Sequence, residues 1–127
     1  MKVILDTHTF IWMDDEPSKL SATAVTALAN PAADVMVSVV SVWEIIIKVQ
    51  LGKWLLSAPL IDIIKRQQAN GVQILGVTLD HVMMIANLPS VHRDPFDRLL
   101  AAQSIVESAD LVTKDPIFAQ YPVRVIW

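Results

Sequence analysis

The chain has 127 residues, 54% of them hydrophobic, and 10 Lys and Arg against 13 Asp and Glu leave a net charge of −3. That length predicts a single domain, residues 1–127, with material for a full core and an apolar surplus suited to a dimer or partner interface. The charge excludes a global basic field, so nucleic acid would have to be met through a local patch or a metal ion. The lack of cysteine excludes disulfides, thiol nucleophiles and cysteine–zinc sites.

Along the chain, Val3–Leu5 reads as a buried strand that stops on Asp6, and a helix follows over Thr9–Met13. After the turn-like DDEPS, Ser21 predicts an N-cap for a helix to about Ala29, ended by Asn30-Pro31. Val35–Val40 is β-branched and continuous, a second buried strand; Ser41 then begins a helix to Leu51 that stops at Gly52. Ser57 and Pro59 start a helix ending at Asn70-Gly71, Gln73–Val77 is a strand, and Thr78 caps a helix through about Ala86. The segment between Leu88 and Asp94 is the expected mobile loop. Asp94-Pro95 opens a longer helix to Glu107, with Pro95 at its first position. Leu111–Thr113 is a strand, Asp115-Pro116 a short helical turn, and Val123–Ile126 the last strand.

Strands alternating with helices predict an α/β fold, helices on both faces of a mostly parallel sheet. Asp6 and His8 interrupt the first apolar stretch, so no signal peptide is legible. The greasiest window, VMVSVVSVWEIIIKVQL, carries Glu44 and Lys48 and falls short of a clean membrane span. A soluble cytoplasmic protein without a membrane partner is the expectation.

In open α/β sheets, sites form beyond the carboxyl ends of strands. Asp6 and Asp115 each follow a predicted strand, while Glu44 and Asp97 lie in the first turns of predicted helices. Each of the last three has a structural alternative. Ser41-Val42-Trp43-Glu44 has the form of a capping box, Asp94 can cap with Asp97 bonding back, and Asp115 can cap before Pro116. Asp6 differs, since no helix start needs it more than Thr7. Two like charges about 4 Å apart repel by roughly 4 kcal/mol at an effective dielectric near 20. A cluster of such acids therefore calls for shared protons or a cation. Oxygen ligands suit Mg²⁺ or Mn²⁺, and the natural chemistry is phosphoryl or phosphodiester hydrolysis.

At these residues the sequence resembles the PIN-domain family, and within it the VapC-type toxins of toxin–antitoxin pairs. The resemblance rests on ILDTHTFIW, SVVSVWEIIIKVQLGK, HRDPFDRLLAAQ and LVTKDPIFAQYPVRVIW, in order along the whole chain. It implies a three-layer α/β/α fold with about five strands. It also implies a Mg²⁺- or Mn²⁺-dependent endoribonuclease that is usually a homodimer and is neutralised by a cognate antitoxin. Asp6, Glu44, Asp97 and Asp115 match the four family acids, with Asp6 and Asp97 as the implied direct ligands. Glu44 and Asp115 would ligate directly, through water, or position the attacking water. Thr113 sits where the family often has a hydroxyl beside the last acid.

Around this set, Asp94 reads as an N-cap or an accessory ligand, and Lys48 as an ion-pair partner of Glu44 or a phosphate contact. Arg93, Arg98 and Lys114 lie close enough in sequence to hold RNA phosphates. His8 and His92 read as hydrogen-bonded structural histidines, with acid catalysis or RNA contact as the alternative. Trp12, Trp43 and Trp54 read as core or, if exposed, as anchors for a partner, and Trp127 as the closure of the last strand. Two other functions stay open: an aspartyl phosphotransfer domain, against which His8 stands where a second Asp is wanted, and a module that only binds a protein.

Overall fold

The computed structural model describes residues 1–127. The chain runs β1 (Lys2–Leu5), α1 (Thr7–Asp15), α2 (Ala22–Ala29), β2 (Asp34–Ser38), α3 (Val39–Gln50) and α4 (Leu60–Ala69). It continues through β3 (Gln73–Leu75), α5 (Leu79–Met84), α6 (Pro95–Glu107), β4 (Asp110–Val112) and β5 (Val125–Ile126). Single 3₁₀ turns fall at Pro17–Lys19, Ile85–Asn87 and Pro116–Gln120.

The strands form one five-stranded sheet in the order β3-β2-β1-β4-β5, with every pairing parallel. A parallel sheet is buried on both faces, and its central strands are correspondingly continuous in hydrophobicity. In β1, Val3 and Leu5 enter one core while Ile4 enters the other; Val37 and Met36 divide in the same way, as do Val112 and Leu111. The first core is closed by Phe10 of α1, Ala24 of α2 and Ile63 of α4, the second by Leu100–Ala102 of α6 with Phe118 and Tyr121. Helix α3 gives Ile45 to the first and Val40 to the second. The α/β architecture with helices on both faces is the expected one.

The boundary between β2 and α3 departs from expectation. The strand ends at Ser38 and the helix begins at Val39, because the Ser38 hydroxyl accepts the Val40 N–H at 3.1 Å. A cap outweighs the β preference of two valines. Ser41 is therefore inside the helix, and Glu44 lies beyond its first turn rather than in a capping box. At the other end, Gly52 adopts φ +70°, the left-handed turn that closes α3 after Leu51; Gly71, at φ +96°, does the same after α4.

Other ends shift by a few residues. Helix α1 starts at Thr7, β3 stops at Leu75, α5 gives way to a 3₁₀ turn at Ile85, and β4 and β5 are shorter or displaced. Residues 88–94 are tethered. Arg98 donates to the Pro89 carbonyl at 2.9 Å, and Val91 packs on the second core.

Candidate active site

The chain winds outward from β1 to β3, then crosses over to β4 and β5, so the strand order reverses between β1 and β4. A crevice opens at the carboxyl ends of strands flanking such a switch. Asp6 leaves β1 at this point. Its N–H donates to the Val112 carbonyl of β4 at 3.0 Å, and the buried Thr9 hydroxyl donates to the same carbonyl at 3.0 Å. Asp6 is also the N-cap of α1, accepting the Thr9 N–H at 2.8 Å. The sequence had given Asp6 no capping duty, and here the expectation is corrected: Asp6 turns the chain into α1, and Thr7 becomes its first residue.

A cavity of about 180 Å³ at this edge is lined by Asp6, Glu44, Asp94, Asp97 and Asp115, together with Thr7, His8, Lys48 and Trp54. The four acids singled out in the sequence thus come to one pocket from four parts of the chain. Asp6 and Glu44 are buried, and Asp115 is exposed. Asp97 is pushed up to about 6, first by burial and then by the like charges of Asp94, Glu44 and Asp115, while a hydrogen bond from His92 pulls the other way.

Each acid is held by a local donor. Thr113 donates its hydroxyl proton to Asp6 Oδ2 and accepts the Asp115 N–H at 3.1 Å, so one hydroxyl links two acids. Thr7 Oγ1 lies 2.6 Å from Glu44 Oε1 and 3.0 Å from Ser41 Oγ. Its single proton goes to the carboxylate, and it accepts from Ser41. Asp94 caps α6 by accepting the Phe96 and Asp97 N–H groups, and Asp115 caps its 3₁₀ turn by accepting the Ile117 N–H at 3.0 Å. Asp97 does not bond back to Asp94; its Oδ2 meets His92 Nε2 at 3.1 Å. On the other side of that ring, Tyr121 Oη lies 2.6 Å from Nδ1, and Arg98 donates to Tyr121 Oη at 3.4 Å. A directed chain results, Arg98 to Tyr121 to His92 to Asp97, with the imidazole carrying its proton on Nε2.

Held in this way, the acids line the pocket without closing into a ready cage; no three stand close enough to grip a cation as placed. The donor set nevertheless fits a hard divalent ion. It is all oxygen, and Glu44 Oε2, Asp97 Oδ1, Asp94 Oδ2 and Asp115 Oδ2 take no hydrogen bond from the protein.

The remaining candidates divide. Lys48 lines the pocket and lies over the Trp54 ring, 5.8 Å from its centroid, instead of pairing with Glu44. Arg93 and Lys114 are exposed, whereas Arg98 is committed to Pro89, Tyr121 and the Ile85 carbonyl. Trp43 is 59% exposed and packs edge-on against Phe96; Trp54 and Trp127 are half-buried against the first core, and Trp12, also half-buried, meets the Trp127 ring at 6.1 Å. Thr7, Tyr121 and Trp54 had no place in the site as read from the sequence. Only Thr7 carried a signal, a hydroxyl directly after the acid that ends a buried strand.

Residues 3–123 match the model of the PIN domain. The chain is 32% identical over 114 residues to ribonuclease VapC22 of Mycobacterium tuberculosis, covering 89% of this chain and 86% of that protein. Its fold is similar to VapBC2 from Rickettsia felis bound to a DNA fragment from their promoter, with a TM-score of 0.70 and 15% identity over 98% of this chain and 97% of that one. It is also similar to a toxin–antitoxin complex from Klebsiella pneumoniae, with a TM-score of 0.59 and 16% identity over 94% and 92% of the two chains.

Proposed function

The chain belongs to the PIN-domain family, in its VapC branch, and on that premise we propose that it is a Mg²⁺- or Mn²⁺-dependent endoribonuclease, the toxin of a toxin–antitoxin pair. The observation that carries this reading is the convergence of Asp6, Glu44, Asp97 and Asp115 on one pocket at the strand-order switch. Asp6 and Asp97 are the direct ligands in this reading, with Glu44 and Asp115 ligating directly or through water. When bound, the cation supplies positive charge against the developing phosphoryl charge and makes water a stronger nucleophile. The protein's part is positioning. Thr113 fixes the Asp6 carboxylate, Thr7 fixes Glu44, and His92 fixes Asp97. Glu44, with Oε2 free of protein donors, is placed to hold and orient the attacking water. Lys48, Arg93 and Lys114 are the cations available to RNA phosphates.

The apolar surplus supports partners. Trp43, Ile46, Val49 and Leu55 are exposed, and the last three border an apolar groove of about 480 Å³ between α3 and α4. A second exposed patch lies on α5 at Leu79, Val82 and Met83. A homodimer and a cognate antitoxin are the occupants proposed. No helix is long and apolar enough to cross a membrane, and a cytoplasmic location completes the proposal.

The test is cleavage of total cellular RNA by the purified protein, with Mg²⁺ or with EDTA, beside an identically prepared Asp97→Asn. Discrete fragments from wild type with Mg²⁺ alone are expected. Equal cleavage in EDTA, or by Asp97→Asn, refutes the reading.

A further inference from the structure

The carboxylate pocket adjoins a second cleft through two shared residues, His8 and Trp54. This cleft, about 230 Å³, is walled by Trp12 and Trp54 and edged by Lys19 and Lys53. The exposed His8 ring stands at the junction, 4.9 Å from the Trp54 ring and 5.4 Å from Trp12. Lys48 lies over Trp54 and Lys19 over Trp12, at 5.8 and 5.6 Å from the ring centroids.

We propose that this cleft is a nucleobase subsite: an unpaired base of the RNA, next to the phosphodiester held at the carboxylates, stacks on the Trp54–His8 pair. The proposal rests on the ribonuclease reading and adds the residues that take the base. Aromatic faces and cations beside a backbone-binding site are the elements of single-strand recognition, because every base has a π-face and every linkage a charge. A paired base in an A-form helix keeps both faces covered and cannot enter such a cleft. Glu16 pairs with Lys19 at 3.2 Å, while Lys48 lines the carboxylate pocket and Lys53 the cleft, so each of the two pockets that share Trp54 carries a cation for the RNA backbone. An apolar protein segment is the competing occupant, and it is better served by the α3–α4 groove, whose lining carries no charge.

The test uses a fluorescein-labelled mixed-sequence RNA dodecamer, single-stranded or annealed to its complement, titrated with Ca²⁺ in place of Mg²⁺ and checked on a gel to be uncut, which separates binding from cleavage while leaving a cation for the carboxylates. Wild type should prefer the single strand. Trp54→Leu should lose about 5- to 150-fold in affinity, the range that stacking one base is worth, while Trp54→Phe retains most of it and Val25→Ala, exposed on α2 and lining neither pocket, retains all. RNA should quench tryptophan fluorescence in wild type and much less in Trp54→Leu. No single-strand preference, an unchanged Trp54→Leu, or a Trp54→Phe as weak as Trp54→Leu overturns the proposal. So does a Trp54→Leu that binds RNA normally but no longer holds the antitoxin. The two readings fail separately. Metal-dependent cleavage indifferent to Trp54 removes the subsite alone, and Trp54-dependent RNA binding without any cleavage removes the nuclease alone.

Discussion

Asp97 offers a test of the site that needs no substrate. Its carboxyl is raised from 3.8 to about 6 by burial and by Asp94, Glu44 and Asp115. At about 1.4 kcal/mol per pH unit this shift corresponds to at most about 3 kcal/mol of folding stability at neutral pH, and screening by solvent at this half-buried group lowers the cost below that ceiling. The folded-state value lies above the unfolded one, so between pH 6 and 3.8 the native state binds the proton that the unfolded chain releases. Stability from this group therefore rises as pH falls through that window, and the penalty is complete only above pH 6. Asp97→Asn removes the charge, and its amide oxygen still accepts from His92. In EDTA the variant should exceed wild type by about 1–3 kcal/mol at pH 8 in urea denaturation, with the gap narrowing at pH 5 and closing near pH 3. Mn²⁺ at a hundredfold its Kd should stabilise wild type by about 2.7 kcal/mol and leave Asp97→Asn unmoved. A metal-free variant no more stable than wild type at pH 8 would show that the carboxylates do not strain the fold.

Thr7→Val deletes the hydroxyl that holds Glu44 and should lower kcat about tenfold or more with KM nearly unchanged; Thr7→Ser should restore it, and failure of that rescue counts against a positioning role. Tyr121→Phe breaks the chain to Asp97 and should weaken Mn²⁺ binding, read by calorimetry, by about 10-fold or more, with an unaltered affinity denying the chain any hold on the site. The buried His81 ring accepts the Thr78 N–H at 3.0 Å on Nδ1 and donates from Nε2 to Glu107 at 2.8 Å, and that bond holds the Glu107 carboxyl below its ordinary value. Its stabilisation is present above about pH 4.5 and is lost as pH falls, so Glu107→Gln should flatten the acid limb of the stability curve; an unchanged limb refutes the assignment.

What the sequence disclosed follows the range of the interactions involved. Asp94-Pro95 caps and starts a helix by local chemistry, and α6 runs over the expected residues, ending at Glu107. Ser21 and α2 agree for the same reason. The β2–α3 boundary was misplaced because a continuous run of valines carries no periodicity of its own, while the deciding bond, Ser38 to Val40, uses a side chain that looked like part of the strand. Asp6 showed a carboxylate at a strand end but not its capping duty, which Thr7 appeared able to serve equally. The hydroxyl partners were hidden by distance along the chain. Thr7 reaches Glu44 and Thr113 reaches Asp6 only after the sheet is assembled, and Tyr121 meets His92 only once the last 3₁₀ turn packs beside α6.

Capping alone accounts for Asp6, Asp94 and Asp115, and a chain that merely needed helix starts would be content with those three. Glu44 is the residue that such an account leaves over. It caps nothing, lies beyond the first turn of α3, and is buried with one neutral hydroxyl, Thr7, as its partner. The same chain shows how it treats a structural carboxylate. Asp14, with 4% of its side chain exposed, receives two hydrogen bonds from the Arg66 guanidinium and one from Gln67. Glu107 has His81 and Lys2. Burying an acid without such a cation is costly, and the nearest candidate, Lys48, lies over Trp54 instead. The unpaired Glu44 and the strained Asp97 are thus the two acids whose placement helix capping does not explain, and they are the strongest support for the proposed cation site.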